Sequence, residues 1–142
     1  MYPLSDNQIQ EIVESFDMGL TCFWNKVTGE LVFVPKREYE HLLEKDMFAE
    51  EQEKIENNYE NFIEIDPPSS SEQFQIMADF AEQLDERLLL RGQLITALNK
   101  SKPFQGFKHI IHNSGKYREQ WFAFQTEQLQ KFVRDSFRFI LK

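Results

Sequence analysis

The charged side chains of this chain are sorted by position. Residues 1–86 hold 21 Asp and Glu against 5 Lys and Arg, and residues 87–142 hold 3 against 11, so the stretches carry −16 and +8 within a total of −8. Such sorting constrains the fold, because each stretch must either spread like charges over solvated surface or find counter-charge in the other. The boundary falls inside a helix-patterned stretch rather than at a linker. One domain over residues 1–142 is therefore expected, with the two stretches neutralising each other.

Punctuation residues divide the chain into elements. Ser5 and Gln8 have capping-box spacing, and Ile9, Ile12, Val13 and Phe16 follow at helical intervals to a stop near Asp17 to Gly19. Leu20 to Asn25 and Glu30 to Pro35 are β-prone runs around a turn in which Gly29 supplies positive φ, a hairpin signature. Lys36 to Asn57 patterns as one charged amphipathic helix with Tyr39, Leu42, Leu43, Met47 and Phe48 on its apolar stripe. Asn61 to Ile65 is a third strand, ended by Pro67 and Pro68. Ser69 with Glu72 caps the next helix, which carries Phe74, Met77, Phe80, Ala81 and Leu84. A helix restarting at Asp85 should run to Asn99, one beginning at Pro103 should stop at Asn113 to Gly115, and the last should run from Lys116. In that last helix Trp121, Phe122, Phe124, Leu129, Phe132, Val133, Phe137 and Ile140 are candidate core. The expected fold class is α+β: a small three-stranded antiparallel sheet packed with five or six helices, with a helical C-terminal half.

Several functional classes find little support in the residues. Apolar runs such as Leu88 to Leu90 and Trp121 to Phe124 are far below the roughly 20 residues of a membrane helix. No basic-then-apolar leader is visible at the start, and Cys22 is the only cysteine, so a cytoplasmic setting without an internal disulfide is expected. No Gly-x-Ser-x-Gly elbow or Gly-rich phosphate loop occurs. His109 with His112, and Glu38 with His41, have ligand-like spacing, but a metal needs three or four ligands, so both pairs are read as bystanders. Cofactors and metals are not expected.

The second half resembles a small bacterial uncharacterised protein family. The blocks that carry the resemblance are Thr28-Gly29-Glu30, Phe62 to Pro67, Met77 to Phe80, Ala97-Leu98, Phe104 to Lys108 and Trp121 to Phe124. It covers roughly residues 20–135 and implies the fold without an activity. Between the two phenylalanines this chain has Gln105 and Gly106, where the family usually carries more basic character.

What remains is binding. Arg87, Arg91, Lys102 and Lys108, with Phe104, Phe107 and Trp121, are the candidate binding residues, and Lys100, Lys116, Tyr117 and Arg118 lie among them. The expected function is a noncatalytic interaction or regulatory module that meets a protein partner through charge-complementary surfaces. Nucleic-acid binding through residues 87–118 is the alternative, opposed by a pI near 4.9. A hydrolase-like site built from Glu38, Asp66 or Asp79 is a third. Oligomeric state is not legible.

Overall fold

A computed structural model describes residues 4–42 and 47–141, and among these it forms six α-helices and a three-stranded antiparallel sheet. The fold is α+β with a helical C-terminal half. The chain makes two compact units, the first from Met1–Pro67 with Gln130–Lys142 and the second from Pro68–Leu129.

In the first unit, α1 (Asp6–Asp17) begins with the Ser5 and Gln8 capping box, in which each side chain accepts from the other residue's backbone N–H. Strand β1 (Leu20–Asn25) is central, with β2 (Leu31–Pro35) on one side and β3 (Phe62–Ile65) on the other. The hairpin turn is organised by Asn25, whose Oδ1 accepts from Val27 and Thr28 at 2.9 and 3.1 Å, while Gly29 takes φ +79°. The register, Cys22 opposite Phe33 and Ile65, Phe23 opposite Val32 and Glu64, gives the sheet two faces. Val32 and Val34 pack with Phe23 and Phe62 against Ile55 of α2 (Ala49–Asn57). On the other face Trp24 meets Phe137, ring centroids 5.0 Å apart and nearly perpendicular, so the last turns of α6 (Lys116–Ile140) complete this core.

The segment 36–57 departs from the expected single helix. Arg37–Leu42 is a 3-10 helix and α2 starts only at Ala49, while Leu43 of the expected stripe lies outside the described residues. Met47 is exposed.

The second unit is helical. Its members are α3 (Ser70–Gln83), capped by Ser69 and Glu72, α4 (Leu89–Leu98), α5 (Pro103–His112) and the first part of α6. Met77, Phe80, Ala81, Leu94, Leu98, Phe107, Ile111 and Trp121 form the core. The helix expected from Asp85 begins four residues later. Asp85 Oδ1 accepts from the Arg87 backbone N–H at 2.9 Å, and that local turn competes with helix at the point where α4 would start. Phe122, expected in the core, is 42% exposed, because Trp121 occupies the buried stripe and the next residue is turned about 100° away.

The units also redistribute charge. The first holds 17 acidic and 9 basic residues, net −8, and the second holds 7 of each, net 0. Lys131, Arg134, Arg138 and Lys142 thus return to the acidic unit, and Arg134 meets Asp6 at 3.3 Å.

Cys22 is 1% exposed, and burial, reinforced by Glu11, pushes its thiol up to about 12. A neutral, inaccessible thiol is unreactive. Native protein should therefore resist maleimide labelling and become labelled only in denaturant; rapid native labelling detected by mass spectrometry would contradict this burial.

Candidate functional site

Helix α5 is divided among three environments. Phe107 and Ile111 point into the core with Phe104 packed against it. Gly106, His109, Ile110 and Asn113, at the i, i+3, i+4, i+7 spacing of one helical stripe, line a groove whose opposite wall is Leu89, Gly92, Gln93, Thr96 and Ala97 of α4. Lys108 and His112, one turn apart, occupy a third stripe on which His112 contacts α6.

The groove has a volume of about 840 Å³, and Lys100 and Ser101, from the connection between the two helices, also line it. Its helices approach closely because Gly106 has no side chain: a Cβ there would lie 3.3 Å from Ala97 Cβ. Gly92 faces open space, so the α4 backbone is accessible from the groove. Lys100 and His109 are the ionisable lining residues, with Gln93, Thr96, Ser101 and Asn113 adding uncharged hydrogen-bonding groups. Among the described residues no carboxylate lines it. Leu89, an exposed apolar side chain, stands on its rim. Such a site can hold an anionic group over an apolar floor.

The basic residues marked in the sequence are spread around this unit. Arg87 folds back on Asp85, donating from Nε at 3.3 Å and Nη2 at 3.1 Å, and this pair holds the Asp85 carboxyl below the usual carboxylate range. Arg91 is half-buried on α4, and its position is not among the groove-lining residues. Lys102 is exposed immediately before α5, in left-handed backbone at φ +53°. Lys108 is exposed on the stripe turned from the groove. Phe107 and Trp121 are core, their ring centroids 4.8 Å apart, and Phe104 is half-buried.

Sequence reading missed Gln93, Thr96, Ser101 and Asn113 as a set, because uncharged polar residues carry no chemical signature individually, and it met His109 only as half of a bystander pair. The helical repeat from Gly106 to Asn113 was the available signal. It also listed Arg118 without its setting. Arg118 Nε donates to His112 Nδ1 at 3.1 Å, and its guanidinium lies 5.4 Å from the Phe122 ring centroid.

The carboxylates proposed for a hydrolase are distributed differently. Glu38 lines a cleft of about 570 Å³ in the first unit with Glu64, Thr21 and Phe23, whereas Asp79 belongs to the second unit and accepts from Gln75 at 2.7 Å. Among the described residues no group of three or more His, Cys, Asp or Glu is arranged to hold a metal. No helix there is long and apolar enough to cross a membrane.

The profile of the Uncharacterised protein family (UPF0158) matches residues 3–139. A UPF0158 protein from Pseudomonas aeruginosa is 31% identical over 81 residues, which cover 57% of this chain and 52% of the relative. The matched segment thus spans about half the length of that curated relative. No solved structure matches the chain.

Proposed function

The chain belongs to the uncharacterised protein family UPF0158, and we propose that it is a noncatalytic interaction module of the cytoplasm whose helical unit receives an acidic segment of a protein partner. The observation that carries this function is the α4–α5 groove, which joins an apolar floor to Lys100 and His109 and, among the described residues, has no carboxylate in its lining. An amphipathic segment laid between two helices makes contacts of both kinds, apolar along the floor and ionic at Lys100. The net charge of −8 works against a densely charged nucleic acid, and two of the three aromatic candidate binding residues, Phe107 and Trp121, are buried.

Gln93→Glu with Lys100→Glu reverses the groove's charge at two exposed positions. Affinity capture from the native cell should recover a protein partner whose retention survives nuclease and falls at least about tenfold with the double variant. Retention abolished by nuclease would assign the surface to nucleic acid instead. Equal capture by both forms would remove the groove from the function.

A further inference from the structure

We infer that Arg118 is the anchor of a second contact surface, separate from the groove, on the α5–α6 side of the helical unit, and that it takes a carboxylate from an acidic protein segment. Four arginines of the described residues illustrate the contrast. Arg87, Arg134 and Arg138 each lie within ion-pair distance of an aspartate, Asp85, Asp6 and Asp135. Arg118 instead uses an imidazole nitrogen as its acceptor.

That choice has a chemical consequence. His112 accepts from Arg118 Nε through Nδ1, so it orients the guanidinium without bringing a carboxylate that would cancel its charge. Phe122 supports the same guanidinium from beneath, at 5.4 Å, and is itself held edge-on by His112 at 6.3 Å. With Nε engaged, Nη1 and Nη2 remain as a planar fork, the arrangement that grips a carboxylate through two parallel hydrogen bonds. The side chain has surrendered much of its rotamer freedom before any partner arrives, which is how a preorganised residue gains affinity.

The surroundings agree. Arg beside an exposed aromatic is the composition enriched where interface energy concentrates, and Phe122 is a large apolar side chain left at the surface. Lys108 lies one helical turn before His112 on the same stripe of α5, adding a second cation. A carboxylate is favoured over the phosphates of nucleic acid because the whole chain is an acidic protein, and long-range repulsion grows with the charge of the approaching polymer.

The probe is a fluorescein-labelled peptide of repeating Asp-Leu-Glu units, titrated at low ionic strength and read by anisotropy, with a labelled oligothymidylate in parallel. Arg118→Lys keeps the charge but removes the planar fork, and should weaken the peptide about tenfold. His112→Ala should weaken it several-fold, while His112→Asn, whose amide oxygen replaces Nδ1 as acceptor, should restore most of the loss. Lys131→Ala, which deletes a charge in the other unit, should change nothing. Wild-type affinity in Arg118→Lys, or no saturable peptide binding at all, would overturn the assignment. So would an oligothymidylate that binds more tightly than the peptide with the same Arg118 dependence. If the Gln93→Glu, Lys100→Glu variant loses the peptide while Arg118→Lys retains it, the groove stands and this second surface falls.

Discussion

Truncating Phe107 to alanine should destabilise the helical unit by about 3–5 kcal/mol, the range for removing a large aromatic from a packed interior. Its ring is 0% exposed and meets Trp121 at 4.8 Å, tilted by 67°, within a cluster that also holds Phe80, Leu94, Leu98 and Ile111. The lost area is compounded by a cavity that helices fixed by close packing cannot readily collapse, since Gly106 already brings α5 to 3.3 Å of Ala97 when a Cβ is placed on it. Lys108→Ala, next in sequence but exposed, should stay within about 0.5 kcal/mol. Urea unfolding followed by Trp121 fluorescence in a Trp24→Phe background reads this unit directly. A loss below about 1 kcal/mol at Phe107 would mean that its ring is not the packing centre its burial describes.

Phe137→Ala should have a comparable effect, about 3–5 kcal/mol, on the sheet unit. Phe137 is fully buried and stands edge-on to Trp24 with centroids 5.0 Å apart, although the two are separated by 113 positions in sequence. Such a pair contributes about 0.5–1.5 kcal/mol beyond the area it buries. A double-mutant cycle with Trp24→Leu and Phe137→Leu should recover a coupling of that size, and additive losses would show that the rings pack without specific preference. Hydrogen exchange at β1 should rise in Phe137→Ala, because Trp24 is held from behind by that ring.

Both substitutions bear on what the sequence disclosed. Helix starts were legible where a local residue settles the first turn: Ser5 with Gln8 and Ser69 with Glu72 by satisfying backbone N–H groups, and Pro103 by its fixed φ and missing N–H at the start of α5. The hairpin was legible for the same reason, since Gly29 adopts the conformation its turn demands. The third strand was found, and its pairing with β1 agrees with a place beside the hairpin. The family expectation is met as well. Boundaries set by competition were hidden. Asp85 was expected to restart the helix and instead draws Arg87 into a turn, and the 36–57 pattern concealed a change from 3-10 helix to α2.

The candidate sites were less legible than the fold, for a physical reason. Charge and aromaticity mark residues that can bind, but burial and local pairing decide which are free to do so. Arg87 is engaged by Asp85 and Phe107 is core, while the groove is lined by residues such as Thr96 and Asn113 whose chemistry is unremarkable until two helices face each other. The charge split is redrawn in a related way: the fold cuts the basic stretch at Leu129 and assigns its remainder to the acidic unit.

That cut has a consequence for synthesis on the ribosome. The helical unit is continuous in sequence, so it can close once Leu129 has emerged, whereas the sheet unit needs Val133 and Phe137 to fill its interior. Its strands must therefore wait while the 62 residues of the intervening unit are made, an interval of about 3–12 s at ordinary elongation rates. Throughout it Trp24 lacks the ring that covers it in the finished fold, so the strands of the sheet unit emerge long before their interior can close.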